Sequence, residues 1–294
     1  MAHTTVIVLT WNGLEDTQRC LDALARVHDD VRVIVVDNGS LIDEASVLRS
    51  LIDAFPHPLD VLRSPTNLGF AGGVNLALRH MLASAPSETI LLLNNDARLP
   101  DGLVTRFVAE LDAQPRLGII GATLDEARGL VGPGRIDWWS GATPFERAPG
   151  GADVVVPVDT VHGACFCFRG ALLDVLGFFD ERYHAYYEET DFCVRAARAG
   201  YTLACLSGWR VPHVGGASMV VVPGLREYLL FRSRMLFIDK HTPWPARWIA
   251  AARTVVIDAP RHAARAIIRR DWRVVRAHVQ GLADGVLRRP ARWP

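Results

Sequence analysis

Residues 4–13 read TTVIVLTWNG, an apolar and β-branched run that breaks off at an Asn-Gly pair. A run of this length and composition predicts a buried β-strand that enters a loop. The pattern returns at 31–40 (VRVIVVDNGS) and at 89–97 (TILLLNNDA). None of the three runs alternates strictly between apolar and polar residues, which is typical of strands buried on both faces of a parallel sheet.

Stretches with helical periodicity separate these strands. Residues 15–27, for example, place Cys20, Leu21 and Leu24 at helical spacing. We expect further helices at 42–54, from the Gly-rich segment 67–75 to about 84, and at 101–113, 170–176 and 189–199. We expect further strands at 59–62, as a pair within 156–168, and at 201–206, with loops and short strands over 125–155. Strands that alternate with helices predict an α/β fold with helices on both faces of a mostly parallel sheet.

Polar clusters follow the three apolar strands. They are Thr10-Trp11-Asn12, Asp37-Asn38-Gly39-Ser40 and Asn94-Asn95-Asp96. In a parallel α/β sheet, ligands bind beyond the carboxyl ends of the strands. Ordinary turn chemistry accounts for any one cluster, but three in succession indicate a binding site at this edge.

Composition excludes several classes of protein. The 294 residues include 32 basic and 32 acidic side chains, and half of the chain is hydrophobic, which argues against a disordered chain and a nucleic-acid partner. Lys240 is the sole lysine, so the chain has no P-loop, and no G-x-G-x-x-G predicts a dinucleotide site. The five cysteines lack zinc-ribbon spacing and predict buried thiols.

The composition changes near residue 225. Residues 226–294 hold 15 basic and 5 acidic residues and carry no strand signals, so we expect a catalytic domain over 1–225 and a helical region over 226–294. At 100° per residue, an apolar face and an adjacent arginine stripe emerge: Ala264, Ile267, Ile268, Trp272, Val275, Val279, Leu282 and Val286, beside Arg265, Arg269, Arg273 and Arg276. This pattern suits an anionic membrane surface. Packing on the catalytic domain is the alternative.

The N-terminus, MAHTTVIVLTWNG, has no basic region before its short apolar run. No window of the chain holds 18 uninterrupted apolar residues. We therefore expect neither a signal peptide nor a membrane-spanning helix. The expected location is the cytoplasm, with peripheral contact on the cytoplasmic face of the inner membrane if the C-terminal helices bind lipid.

Three carboxylates crowd the segment YHAYYEETD at 183–191. They belong to Glu188, Glu189 and Asp191. Like charges so close together, partly desolvated, raise the pKa of at least one of them, which makes a competent general base near neutral pH. The alternative is a helix N-terminus, where acids suit the helix dipole. That alternative does not explain the flanking tyrosines.

Three further side chains suggest ligand chemistry. Asp96 ends a strand, where a carboxylate can hold Mg²⁺ or Mn²⁺ together with substrate phosphates; a turn or helix cap is the alternative. His213 is a candidate metal ligand or phosphate partner, or else a structural histidine. Asp37 is placed to accept a hydrogen bond from a base or ribose, or to close an Asx-turn.

Together, these segments resemble the inverting family 2 glycosyltransferases, particularly their bacterial rhamnosyltransferase-like branch. The matching segments are VIVLTWNG (6–13), VIVVDNGS (33–40), NLGFAGGVN (67–75), LLLNNDA (91–97), VHGACFCFRG (161–170), LGFFDERYHAYYEETDFCVRAARAGY (176–201) and VPHVGGAS (211–218). Their order is specific, although each segment alone is not. The resemblance covers about residues 4–240.

The resemblance implies a GT-A fold, a nucleotide-sugar donor, a divalent metal (Mg²⁺ or Mn²⁺) and inversion at the anomeric carbon. Asp37 matches the acid that binds the nucleobase, Asp96 the metal-binding end of the D-x-D motif, and Glu189 the general base. His213 matches a histidine that contacts metal or diphosphate. The resulting site has donor-binding residues Thr10, Asn12, Asp37, Asn67, Gly69, Gly72, Asn75, Asn94 and Asn95, catalytic residues Glu189, Glu188 and Asp191, and metal ligands Asp96 and His213.

Two positions depart from the family pattern. Asn94 stands at the first position of D-x-D, which removes a carboxylate and puts metal affinity and identity in question. Glu189 replaces an aspartate, which lengthens the base by one methylene and leaves open which of the clustered acids acts.

The expected function is transfer of a sugar, with rhamnose as the candidate, from a dTDP-, UDP- or GDP-linked donor. The acceptor is a hydroxyl of a glycan or a polyprenyl-linked glycan. The alternatives are a sugar-phosphate nucleotidyltransferase and a non-catalytic nucleotide-sugar-binding protein.

Overall fold

The computed structural model describes residues 4–127, 129–147, 153–215 and 223–292, and within these ranges one ten-stranded sheet forms the centre of the molecule. The strands are β1 (Thr4–Thr10), β2 (Val31–Asn38), β3 (Leu59–Ser64), β4 (Thr89–Asn94), β5 (Leu117–Glu126), β6 (Gly129–Gly134), β7 (Phe145–Arg147), β8 (Val155–Pro157), β9 (Cys165–Arg169) and β10 (Thr202–Pro212).

The helices are α1 (Leu14–Leu24), α2 (Glu44–Arg49), α3 (Gly69–Ser84), α4 (Leu103–Ala113), α5 (Leu172–Leu176), α6 (Glu188–Arg198), α7 (Leu225–His241), α8 (Ala246–Arg253), α9 (Ala259–Ile268) and α10 (Trp272–Val286). A 3₁₀ turn occupies Ile52–Ala54, and a π-helical turn at Thr254–Asp258 joins α8 to α9 without a break.

Most strands of the sheet point the same way. β3, β2, β1 and β4 are parallel neighbours in that order. β9 runs antiparallel between β4 and β5, so β5 and its parallel partner β10 keep the direction of β4. The predicted α/β fold with a mostly parallel sheet is confirmed.

Both faces of the sheet are buried, which explains the unbroken apolar runs. In β1, Val6 and Val8 join a core cluster with side chains of α1, α2 and α4. Ile7, between them, joins a second cluster with side chains of α3, α5 and α6. Because successive side chains of a strand point to opposite faces, every position of such a strand must be apolar. The five cysteines are buried and free, as expected.

The sheet brings the predicted polar edge together. β1 lies between β2 and β4, with Thr10 opposite Asp37 and Leu9 opposite Asn94. The carboxyl ends of the three strands therefore meet at one place. This placement follows from pairing order alone, before any side chain is considered.

Some strand predictions were wrong. Strand β5 was not expected at all, and β10 extends to Pro212 rather than to 206. Residues 156–168 do contain two strands, but these do not pair with each other: β8 pairs with β10, while β9 lies between β4 and β5. Adjacent strands in sequence had been read as neighbours in space, and β9 instead fills the gap at the centre of the sheet.

Helix α7 lies against the first part of the chain. Ser233 Oγ donates to the carbonyl of Ala185 (2.9 Å), and the Phe237 ring lies 5.3 Å from that of Tyr187. Helix α10 packs along α7, where a Cβ on Gly281 would overlap the backbone of Tyr228. Packing, one of the two alternatives for the C-terminal helices, therefore describes α7 and α10. The division at 225 stays a prediction.

The continuous apolar face predicted from Ala264 to Val286 is wrong. The chain turns at Arg270 (φ 54°), and Asp271 caps α10 by accepting a hydrogen bond from the Val274 amide (3.3 Å). Leu282 consequently packs inward against the cluster of Met235, Ile238 and Ala250. Among the helices of the described ranges, none has both the length and the apolar character needed to span a bilayer.

Candidate active site

A cavity of about 1470 Å³ opens at the carboxyl edge of the sheet. Asp96 and His213 line it at the ends of β4 and β10. Glu188 and Glu189, in the first turn of α6, line the same cavity. Two groups of ionisable side chains therefore share one space, although Asp96 and Glu188 are 92 residues apart in sequence.

Asp96 and His213 are joined by hydrogen bonds. His213 Nε2 lies 3.2 Å from Asp96 Oδ1, and His213 Nδ1 lies 3.0 Å from Glu126 Oε1. The amide of Gly215 donates to the other oxygen of Asp96 (3.0 Å). The remainder of the predicted small-residue loop, 216–218, lies outside the described residues.

The surroundings of Asp96 and His213 favour the charged form of both side chains. Burial alone raises the pKa of Asp96, but the hydrogen bond and charge of His213 hold that pKa below its ordinary value. Burial alone lowers the pKa of His213, and the carboxylates of Asp96 and Glu126 more than offset it, so the pKa of His213 is raised. Asp96 is therefore an anionic oxygen donor at neutral pH.

These donors fit a divalent cation that is shared with substrate. Within the described ranges, no three His, Cys, Asp or Glu side chains form a ready metal cage. Mg²⁺ and Mn²⁺ sites of phosphate-transferring enzymes often use only one or two protein ligands, and phosphates and water complete the shell. A carboxylate on Nδ1 of a histidine also orients Nε2 towards a metal, which is the position of Glu126 beside His213.

The Glu188–Glu189 pair follows a strained turn. Tyr186 and Tyr187 have φ values of 65° and 72°, in the left-handed region that bulky residues rarely adopt. The turn is held in place because the Tyr187 hydroxyl donates to the carbonyl of Gly141 (2.8 Å). Helix α6 begins directly afterwards, so its first two side chains reach the cavity. The tyrosines that the helix-dipole alternative left unexplained thus form this turn.

Glu188 is buried and Glu189 is half-buried, and each keeps one carboxyl oxygen, Oε2, without a hydrogen bond among the described residues. Burial raises the pKa of Glu189 to about 7, against the backbone amides of the helix N-terminus, which lower it. Burial and the adjacent Glu189 carboxylate raise the pKa of Glu188 well above its ordinary value. Near neutral pH this pair can hold a proton and release it, as a general base requires.

Asp191 has a different environment from the glutamates. It is fully buried, does not line the cavity, and accepts from Arg195 Nε (2.8 Å) and from His241 Nε2 (2.7 Å). Lys240 completes the set. Burial raises the pKa of Asp191, but the hydrogen bonds from His241 and Lys240 outweigh burial and lower it. The predicted catalytic candidate Asp191 thus ties α6 to α7 and does not line the cavity.

Five of the predicted donor-binding residues line the cavity: Thr10, Asn67, Gly69, Asn94 and Asn95. Asn94 Nδ2 lies 3.3 Å from His213 Nε2, so the residue that replaces an acid still faces the candidate metal ligands. Gly69 has a φ of +74°, and a Cβ there would overlap His184. Glycine at 69 is therefore required by the close approach of the 183–187 segment.

Asp37 does not line the cavity. It is fully buried, with its carboxylate accepting from the amides of Ser40 (3.0 Å) and Ala45 (3.2 Å) and from Arg63 Nη1 (2.9 Å). The turn alternative describes this geometry. The neighbouring Asn38 does line the cavity, where its amide donates to the carbonyl of Gly69 (3.0 Å).

Three other predicted donor-binding residues also lie away from the cavity. Asn75 is buried in α3 and clamps the chain that precedes the 183–187 segment, through the amide and carbonyl of Phe179 (3.0 and 2.9 Å). A Cβ on Gly72 would lie 2.8 Å from the Cβ of Leu68, the residue before α3, so glycine fits closely there. Asn12 accepts from the amide of Leu41 (2.8 Å). These residues shape the site without lining it.

The sequence did not point to Glu126, Asn38 or His184, all of which line the cavity. Glu126 ends the unexpected strand β5, so its position was not visible. Asn38 stood inside a polar cluster that had been noted, and the choice of Asp37 over Asn38 came from the resemblance. His184 sits within YHAYYEETD, a segment in which only the three acids were predicted to be catalytic.

This fold and site define a class: an α/β protein with an Asp96–His213 cluster at the sheet edge and a pair of glutamates in one cavity. The chain matches the family model described as "Glycosyl transferase family 2" over residues 5–176, more than half of its length. It belongs to that family. The model ends before α6, so the glutamate pair lies beyond the matched segment.

Two relatives illustrate the likeness in sequence. The low-salt glycan biosynthesis hexosyltransferase Agl10 of Haloferax volcanii is 26% identical over 200 residues, which cover 66% of this chain and 61% of that protein. The N-acetylglucosaminyl-diphospho-decaprenol L-rhamnosyltransferase of Mycobacterium tuberculosis is 23% identical over 275 residues, 83% of this chain and 87% of that one.

Two solved structures illustrate the likeness in fold. GalNAc-T7 with UDP, GalNAc and Mn²⁺ superimposes with a TM-score of 0.68 at 12% identity, covering 86% of this chain and 50% of that one. Mannosyltransferase PcManGT from Pyrobaculum calidifontis, in complex with GDP-Man and Mn²⁺, gives a TM-score of 0.62 at 17% identity, covering 96% and 86%. The expected GT-A fold is confirmed.

Proposed function

We propose that the protein is a metal-dependent, inverting glycosyltransferase that moves a sugar from a nucleoside-diphosphate donor to a hydroxyl of a lipid-linked glycan. The observation that supports this most is the shared cavity, which Asp96 and the Glu188–Glu189 pair both line. Glycosyl transfer needs both kinds of group: one end must stabilise a departing diphosphate and the other must accept a proton.

At the glutamate end, Glu189 takes the proton of the acceptor hydroxyl as its oxygen attacks the anomeric carbon. The new C–O bond forms while the bond to the diphosphate breaks, so one displacement inverts the configuration. A single carboxylate suffices for this step, whereas a glycoside hydrolase uses two carboxyl groups that flank the bond. Burial keeps the pKa of Glu189 high, which matches the base to neutral pH, whereas the side-chain hydrogen bond with Glu188 lowers that pKa.

At the other end, Asp96 and His213 would hold the divalent cation, with Glu126 orienting the histidine. A bound cation neutralises the charge that develops on the departing nucleoside diphosphate. Asn38 and Asn67, which line the cavity at the sheet edge, would hold the donor by hydrogen bonds.

The mycobacterial relative supports a rhamnosyl donor and a diphospho-polyprenyl acceptor, since its name states both and the likeness spans most of the two chains. We therefore place dTDP-rhamnose first among the donors and a polyprenyl-diphosphate-linked sugar first among the acceptors. The neighbours that bind UDP, GDP-Man and UDP-GlcNAc keep these nucleotides in the set to be tested.

A two-stage experiment tests the proposal. A thermal-shift panel of dTDP-, UDP- and GDP-sugars with Mg²⁺ or Mn²⁺ selects the donor, and NMR of the product formed with a polyprenyl-diphosphate-linked acceptor reads the anomeric configuration. Metal-dependent stabilisation by one donor and an inverted product support the proposal. A retained configuration, or donor binding without turnover on any acceptor, contradicts it.

A further inference from the structure

The helical segment from α8 to α9 has one buried side and one side that is exposed to solvent. Its inward residues, Ala250, Thr254, Ala259 and Ala263, are buried at intervals of four, five and four. The π-helical turn at Thr254–Asp258 absorbs the interval of five, so the inward residues stay on one side of a continuous helix. Several of the apolar side chains along this segment, such as Val255, Val256 and Ile257, are left exposed.

That outward side is apolar. We call it the outer face, and its six most prominent side chains are each more than half exposed: Trp244, Trp248, Ile249, Val256, Ile268 and Trp272. Val256 is 71% and Ile268 is 80% exposed, in a protein that buries nearly all the aliphatic side chains of its sheet. A contiguous exposed apolar face of this kind marks a binding surface.

A loop of the catalytic part packs against the inward side of this segment and carries a further exposed tryptophan. Asp137 pairs with Arg253 (3.4 Å), and Thr254 Oγ1 donates to the carbonyl of Ser140 (3.0 Å). These contacts hold Trp139, which is 65% exposed, beside the helix. Tryptophan is the side chain most enriched where hydrocarbon meets lipid headgroups, and four tryptophans are exposed in this one region.

The charge of the segment favours an anionic partner. Residues 244–279 contain eight arginines and two aspartates. Arg261, Arg269 and Arg273 are exposed, and no acid of the described ranges pairs with any of them. Unpaired arginines beside exposed tryptophans are the pattern of a helix that lies in the plane of an anionic membrane.

The same segment also borders the cavity. Arg253, Asp258, His262 and Asp271 line it from the side that the outer face does not use. One helix therefore presents an apolar side to the exterior and a polar side to the candidate active site. A bilayer under the outer face would lie at the rim of the cavity.

We propose that the outer face rests on an anionic phospholipid surface and thereby aligns the cavity with an acceptor held in that membrane; the second clause rests on the proposed function. The surface differs from the one that the sequence suggested. It is formed by Trp244–Trp272 rather than by a single stripe that continues to Val286.

The test uses the full chain and vesicles of phosphatidylcholine with or without phosphatidylglycerol. Wild type should sediment with the anionic vesicles and be released by salt. The variant Trp248→Ser/Val256→Ser/Ile268→Ser should lose binding to both kinds of vesicle. The variant Arg261→Gln/Arg269→Gln/Arg273→Gln should lose about fivefold in partitioning per arginine on anionic vesicles alone.

Control variants change exposed residues elsewhere. Leu82→Ser/Val175→Ser removes exposed apolar side chains of α3 and α5, and Arg19→Gln/Arg49→Gln removes exposed arginines of α1 and α2. Both controls should sediment like wild type. Brominated phosphatidylcholine in anionic vesicles should quench tryptophan fluorescence in wild type and much less in the apolar variant.

Three results would overturn the inference. The first is that wild type sediments with neither kind of vesicle. The second is that both variants sediment like their controls. The third is that light scattering shows self-association of wild type that only the apolar variant abolishes, so that a second copy covers the outer face. Calorimetry of donor binding in the same variants separates the two proposals: vesicle binding can fail while donor binding persists, and the reverse contradicts only the glycosyltransferase proposal.

Discussion

The surroundings at the two ends of the cavity shift the pKa of a carboxyl group in opposite directions. Asp96 has a histidine and a backbone amide on its oxygens, and its pKa lies below the ordinary value. Glu189 has an oxygen without a partner in the described ranges, and burial raises its pKa to about 7. Burial favours the neutral form of both acids, so burial alone does not set their charge.

The difference assigns the two roles. A carboxylate that stays ionised holds a cation, and one that titrates near neutrality exchanges protons with substrate. Pairs of titratable groups whose surroundings push their pKa values apart are the usual basis of acid–base assignments. Asp191 sharpens the comparison, because it shares a helical turn with Glu189 and yet has its charge fully paired.

Asp191→Asn should have the largest effect, and on stability rather than chemistry. Removing one partner of a buried ion-pair network leaves the cations of α6 and α7 uncompensated, which costs about 3–5 kcal/mol. Thermal or urea unfolding measures the loss, with the exposed variant Asp174→Asn on α5 as control. A native-like Tm together with lost turnover would return Asp191 to the catalytic set.

Glu189→Gln should reduce turnover on the order of 10²-fold or more, because general-base catalysis is lost while size and hydrogen bonding remain. Donor affinity, measured by calorimetry with Mn²⁺, should hardly change. Glu188→Gln is the matched control, and its loss should be smaller, since Glu188 acts on the pKa of its neighbour. An unchanged rate in Glu189→Gln would remove it from the base role.

Asp96→Ala should weaken metal-dependent donor binding on the order of 10-fold or more. Calorimetry with Mn²⁺ and with a chelator checks this, and the variant should differ from wild type only when metal is present. Asn94→Asp restores the carboxylate that the family pattern expects and should tighten metal binding. Equal donor affinities with and without metal in the wild type would contradict the metal role.

A further effect is the pH dependence of stability. The folded-state pKa of Glu189, about 7, lies above its ordinary value of 4.5. The stability that goes with its protonated form is present below 4.5 and is lost as the pH rises through 7. Glu189→Gln should therefore gain Tm relative to wild type at pH 8 but not at pH 4. A constant difference between the two proteins would argue against the raised pKa.

Local composition was enough for the half of the sheet that builds the site. β1, β2 and β4 are buried on both faces, so most residues of each run are apolar and the run can be recognised from local composition. β5 was not predicted because its sequence, LGIIGATLDE, contains two glycines, which weaken any local strand signal. In the fold, Gly121 is needed because a Cβ there would overlap Val161.

The site was predictable to a similar depth. Acids at strand ends and the crowded acids in the first turn of α6 could be found by residue type and spacing. Whether each acid faces the cavity could not, because the answer depends on distant partners: Asn75 meets Phe179, and Asp191 meets His241. Partners so far apart in sequence leave no periodic trace, and the same holds for Glu126 beside His213.

The central claim is that Asp96 and Glu189 differ in charge near neutral pH because of their surroundings. Carboxyl-carbon NMR titration of the full protein tests it directly, with the resonances assigned from Asp96→Asn and Glu189→Gln. The account predicts that the resonance lost in Glu189→Gln titrates near pH 7 and that the one lost in Asp96→Asn titrates below the ordinary aspartate range. Two carboxyl groups that both titrate at their ordinary values would contradict it.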